Sequence, residues 1–191
     1  NANHAGEVAS PPYDVLSLDE AKNLAKDNKN SFVRVSRPEV DFENDMDPYS
    51  AQVYERAATN FKDLLNRRVL VEDVRPSYYV WQMEADGGRL VGVAGAVSVE
   101  SYDQGYVKKH ELTRPIKQKD RVKHIEALGA HTGPVMLGYY DSENISQITR
   151  IAMREKGIYE NLQLWGVNHS IWGLTDPDLV KEMTKAFGDC S

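Results

Sequence analysis

The sequence predicts an α+β fold, with mixed or antiparallel sheets and flanking helices. Three observations carry that expectation. Two pairs of β-type runs are each joined by turn residues, stretches of helical apolar spacing lie between and around them, and the composition is that of a packed chain. Over 191 residues, 41% are hydrophobic and 27% charged, too apolar for a disordered segment. Strand pairs interrupted by helices point to this class rather than to a regular parallel sheet. The length suits one medium domain or two small ones.

The first helix signal is Ser17-Leu18-Asp19-Glu20, in which Ser17 can accept from the Glu20 amide while the Glu20 carboxylate reaches back. That capping box opens a polar helix running to about Lys26. Ser31-Phe32-Val33-Arg34-Val35-Ser36 alternates and ends before Arg37-Pro38, so it reads as a short strand. Glu39 to Asp47 is an acidic loop. Asp47-Pro48 then supplies an N-cap and a first-turn proline. Behind it Tyr54, Ala57, Ala58, Phe61, Leu64 and Leu65 recur at helical spacing, which makes this the longest helix of the front half.

Tyr78–Ala85 and Arg89–Val99, joined by Asp86-Gly87-Gly88, predict a hairpin, because glycine permits the positive φ of a tight turn. Gly92 and Gly95 inside its second run imply a close approach of neighbouring strands. Gly133-Pro134-Val135-Met136-Leu137-Gly138-Tyr139-Tyr140 is a candidate buried strand. After Asp141-Ser142, the spacing of Ile145, Ile148, Ile151 and Ala152 predicts a helix. Residues 163–174 predict a second hairpin, turning around Asn168. The last helix opens at Thr175-Asp176-Pro177, buries Leu179, Val180, Met183 and Phe187, and ends near Gly188.

Composition also excludes several function classes. With 29 acidic against 23 basic side chains, a net charge of −6 disfavours electrostatic affinity for nucleic acid or anionic lipid. A single cysteine, Cys190, rules out an internal disulfide and a thiolate metal cluster, so no structural metal is expected and a reducing compartment fits. No apolar run approaches the ~20 residues that cross a bilayer, and Asn1–Val8 lacks the basic and apolar regions of a signal peptide. The expectation is cytoplasmic, with no membrane partner.

One dense polar segment stands out. Residues 108–124 hold seven of the 23 Lys and Arg side chains, a local electropositive site in an acidic chain. His110-Glu111 begins like a zinc-protease motif, but position 114 is Arg where the second histidine would stand. Glu111 can serve as general base toward a hydroxyl, with Arg114, Lys117 and Arg121 steadying phosphate oxygens. The plainer alternative is a solvated helix start with ordinary ion pairs. His131-Thr132-Gly133-Pro134 reads as a turn, with a phosphate contact as the alternative. Ser10-Pro11-Pro12-Tyr13-Asp14 is stiff and extended enough to lay Tyr13 and Asp14 against the body of the fold. No Walker loop, dinucleotide fingerprint or nucleophile elbow is present.

Several of these segments together resemble a known family. Pro11-Pro12-Tyr13-Asp14-Val15, Ser31-Phe32-Val33-Arg34-Val35, Tyr78-Tyr79-Val80, His110-Glu111-Leu112-Thr113 through Lys117, Asp120-Arg121 and Gly133-Pro134-Val135 follow, in order, the pattern of the bacterial and archaeal domain of unknown function 1015. That family looks related to free-serine kinases of the ParB/sulfiredoxin-like fold, which move phosphate from a nucleotide to the serine hydroxyl. The resemblance implies an N-terminal α+β region over 1–106 and the beginning of a ParB/sulfiredoxin-like region over 107–191. It implies Glu111 and His110 as catalytic residues, and Thr113, Arg114, Lys117, Asp120 and Arg121 as phosphate or nucleotide contacts. ATP or ADP with magnesium and a small hydroxylated substrate such as serine follow from it. The family continues with an Asp-Gly-His-His-Arg segment, so the 191 residues are expected to be the front part of the active protein. The competing expectation is a non-catalytic module that binds a nucleotide or a protein through the same segment.

Overall fold

The structure, a computed structural model, describes residues 2–110 and 112–190. In chain order it comprises a 3-10 turn at Ala2–His4, helices α1 (Ala5–Val8), α2 (Leu18–Ala25) and α3 (Val33–Ser36), and a second 3-10 turn at Pro38–Asp41. Helix α4 (Ala51–Asn66), strands β1 (Tyr78–Ala85) and β2 (Gly88–Ala94), and helices α5 (Val99–Asp103), α6 (Pro115–Leu128) and α7 (Glu143–Ala152) follow. Strands β3 (Tyr159–Leu164) and β4 (Val167–Leu174) and helix α8 (Pro177–Gly188) complete it. The fold is α+β, with a four-stranded antiparallel sheet in the order β2-β1-β4-β3. The chain forms two compact units, one of Asn3–Val71 with the stretch that carries α6, the other of Glu72–His110 with the stretch from Leu137 onward.

The first unit is helical. The capping box at Ser17 forms as its spacing predicts: Ser17 Oγ accepts from the Glu20 amide at 3.3 Å, and the Glu20 carboxylate accepts from the Ser17 amide at 2.8 Å. Helix α2 then buries Ala21 and Ala25 against Val33. Helix α4 starts at an N-cap of Ser50 rather than Asp47, whose carboxylate accepts instead from the Tyr49 amide at 2.9 Å. Its inward face is Val53, Tyr54, Ala57 and Leu64, and Leu64 joins Val35 and Val69 in a second apolar cluster.

Residues 31–36 are not a strand but one helical turn. Among the described residues no strand lies in this unit to pair with them, and the turn sends Val33 into one cluster and Val35 into the other. It also places Arg34 where its guanidinium donates to the carbonyls of Ala25 and Asn28 at 2.6 and 3.2 Å and pairs with Asp41. Satisfying those carbonyls outweighs the β propensity of two valines.

In the second unit, helices α7 and α8 cover one face of the sheet, with Val80, Trp172 and Leu174 packed on Ile145, Ile148, Ala152, Met183 and Ala186. Strand β1 is central, pairing β2 on one side and β4 on the other. The opposite face carries Tyr79, Trp81 and Met83 of β1, all half-buried. Strand β2 stops at Ala94, and Val97 and Val99 beyond it are exposed. Gly95 does reflect close packing, since a Cβ there would lie 2.6 Å from the Tyr78 ring, whereas Gly92 faces open space.

The second hairpin turns at Trp165-Gly166, both at positive φ, two residues before the expected Asn168. This register sends Ser170, Trp172 and Leu174 inward on β4. The apolar run 133–140 is not a buried strand: it is irregular, with Val135, Met136 and Tyr140 largely exposed. An apolar run without periodicity cannot specify a partner, and pairing is a long-range matter.

Candidate functional site

The cationic segment becomes the N-terminal half of α6. Pro115 occupies its first turn, where a missing amide donor costs nothing, and Gly129 at φ 66° closes it in the left-handed region. Arg114 stands at the N-cap without a side-chain cap, and the first turn holds no acidic residue. Positive charge at a helix start opposes the helix dipole, so this end is electrostatically unsatisfied. Arg114, Lys117 and Lys119 are exposed and make no ion pair among the described residues, and the Lys117 ammonium lies 6.0 Å from the Tyr49 ring centre. Thr113 is exposed in the loop before the helix. His110 is exposed and lies in the sheet-containing unit. Glu111 lies outside the described residues.

Asp120 and Arg121 are different. The Asp120 side chain is only 8% exposed, its Oδ1 accepting from the Tyr54 hydroxyl at 2.9 Å and its Oδ2 from Arg121 Nη2 and Nε at 2.8 and 3.1 Å. The Arg121 guanidinium in turn lies 4.0 Å from the centre of the Tyr13 ring. Burial, followed by the Asp120 carboxylate, drives the Tyr54 hydroxyl well above its ordinary range, so it remains a donor. The arrangement holds Arg121 in place on the same helix as Arg114, Lys117 and Lys119, which make no ion pair among the described residues. Asp120 spends its charge inside the helical unit and acts on Arg121, while Arg121 keeps an accessible edge.

His124, one turn further, is 1% exposed, and its Nε2 lies 2.8 Å from the Val35 carbonyl oxygen. A carbonyl can only accept, so Nε2 carries the proton in the neutral ring. Desolvation holds the imidazole below its usual range; the Val35 carbonyl opposes this, Arg121 adds to it, and Asp120 and Glu39 oppose it. The unfolded chain therefore takes up the proton first, near pH ~6.5, and stability is complete above that value and falls as pH drops below it. Unfolding free energies from urea titrations between pH 7.5 and 5 are expected to decline by at most about 1.4 kcal/mol per pH unit, with His124→Gln flattening the decline.

Tyr54 and His124 escape sequence reasoning. Asp120, His124 and Leu128 recur at i+4, but the two polar members make this face of α6 read as solvent, while Ile116 and Val122 are in fact the exposed positions. Tyr13 does lie against the helical unit as its stiff surroundings predict; Asp14 beside it is exposed. His131 is exposed in an irregular segment. His169 accepts at Nδ1 from the Trp81 indole at 3.2 Å. Among the described residues no group of three His, Cys, Asp or Glu is placed to hold a metal, and no helix is long and apolar enough to cross a membrane.

The model of the family described as "Protein of unknown function (DUF1015)" matches residues 1–191. No curated protein and no solved structure matches the chain.

Proposed function

We infer the function from the premise that the chain belongs to the DUF1015 family of proteins of unknown function: it serves a nucleotide-dependent phosphotransferase acting on a small hydroxylated metabolite such as free serine. The observation that supports this most is the start of α6, where Arg114 and Lys117 make no ion pair among the described residues, the first turn holds no carboxylate, and Arg121 is held near them on the same helix. Such an end favours phosphate oxygens. In the step proposed, the substrate hydroxyl oxygen bonds to the terminal phosphorus of ATP, the bond to the bridging oxygen breaks, and the nucleoside diphosphate leaves. The hydroxyl proton passes to Glu111, and Thr113, Arg114, Lys117 and Arg121 hold the phosphate oxygens. Magnesium fits as an ion that arrives with the nucleotide and needs few protein ligands.

The second reading, a non-catalytic module that binds a nucleotide or a protein through the same segment, is favoured by the exposure of Arg114, Lys117 and Lys119 on an open surface. Two open surface hollows, of about 250 and 410 Å³, are lined by Asn144, Gln147, Ile148, Glu182, Lys185, Ala186 and Asp189, and by Phe42, Gln52, Glu55, Arg56 and Thr59. None of the cationic site residues lines either one. The assay that separates the readings is nucleotide consumption by the full-length protein with and without free serine. Serine-dependent consumption supports the enzyme, and nucleotide binding without consumption supports the module. In the enzyme, Arg114→Ala is expected to raise the KM for nucleotide about tenfold at low salt, because a hydrogen bond to a charged group is lost, with the difference shrinking at high salt. An unchanged KM removes Arg114 from the site.

A further inference from the structure

Arg121 of α6 meets the turn that carries Tyr13, a distant part of the chain. Asp120 takes its Nε and Nη2, and among the described residues Nη1 has no hydrogen-bond partner. The Arg121 Cζ lies over the face of the Tyr13 ring, 4.0 Å from its centre. Tyr13 is itself fixed through its backbone. Arg37 Nη1 donates to the carbonyl of Tyr13 at 3.0 Å and to that of Leu16 at 2.5 Å, while Arg37 Nε pairs with Glu39 at 2.5 Å. The turn is closed by the Val15 amide on the Pro12 carbonyl at 3.3 Å. A long, flexible cation has therefore been held at one edge and against one ring, and the Nη1 end, with both of its N–H groups and the second N–H of Nη2, remains for a ligand.

We propose that Tyr13 is a positioning residue for a phosphate group: the Pro11–Val15 turn, pinned by Arg37, stacks its ring on Arg121 and aims the free Nη1 edge at a phosphate oxygen. This rests on the reading of the α6 cations as a phosphate site and adds to it a residue about 100 positions away in sequence. An aromatic ring over an exposed guanidinium contributes a modest free energy, and ordering Arg121 in advance lowers the cost of binding.

The test is titration of the full-length protein with inorganic pyrophosphate, followed by calorimetry and by the Arg121 Nε–Hε signal in NMR spectra. Arg121→Ala should weaken binding about tenfold or more. Tyr13→Leu should weaken it about two- to fivefold at a temperature far below its melting midpoint, and Tyr13→Phe, which keeps the ring, should bind as the parent does. If Arg121→Ala binds as the parent does, the phosphate-site reading fails at this residue. If Arg121→Ala loses affinity while Tyr13→Leu does not, or if Phe loses as much as Leu, the proposal for Tyr13 alone is overturned. Should the Leu variant not fold, the parent protein still decides: the ring must shift the Arg121 Hε resonance upfield, and an unshifted resonance overturns the proposal.

Discussion

If the full-length protein is the phosphotransferase proposed above, replacing Glu111 by Gln is expected to lower the rate of nucleotide-dependent phosphorylation by about 10²- to 10⁴-fold while leaving the unfolding midpoint where it was. Glutamine keeps the size and hydrogen-bonding capacity of glutamate but cannot take a proton from a hydroxyl. Phosphoryl transfer otherwise depends on positioning and on charge, which the cations of α6 would still provide. The variant should thus bind nucleotide with little change in affinity and fail in turnover. Steady-state rates and an equilibrium titration on the same preparation check both halves. Normal turnover by Glu111→Gln would make the carboxylate structural and leave the binding module as the better account.

Asp120→Ala is expected to cost about 2–3 kcal/mol of stability, read as a lower urea midpoint with an unchanged slope. The carboxylate is nearly buried and satisfies two partners, so its loss strands the hydroxyl of Tyr54, itself 7% exposed. Arg121 suffers less, because its side chain is 29% exposed and can turn to water. That exposure is why the expected cost lies below that of a fully buried ion pair. Tyr54→Phe removes one partner and should cost less than Asp120→Ala. A double-mutant cycle between the two isolates their coupling. A change below about 0.5 kcal/mol for Asp120→Ala would mean that the network contributes little to holding α6 in the helical unit.

Where local chemistry determines an element, the sequence by itself specified it. The capping box at Ser17, a glycine-bearing hairpin turn, formed by Asp86-Gly87 with Gly88 already in β2, the apolar spacing that marks α4, α7 and α8 as helices, and the proline near the start of α8 each act within a few residues. The absence of a second cysteine needs no fold at all to exclude an internal disulfide. The motif order that resembles DUF1015 was legible for the same reason, and the family match extends over the whole chain.

Tertiary structure alone decided the rest. Val33 and Val35 became a helical turn because Arg34 had carbonyls to satisfy, and the run 133–140 stayed out of the sheet because an apolar run carries no address for a partner. The candidate site divides along the same line. Its charge is visible in composition, so Arg114, Lys117 and Arg121 could be named from the segment. The difference among them is a matter of long-range contact: Tyr54 is 66 residues from the carboxylate that receives its hydroxyl, and His124 is 89 residues from the carbonyl it meets. Those contacts turn one face of α6 inward through polar groups. Hydrophobic periodicity cannot report such a face, because hydrogen bonds rather than apolar burial hold it in place.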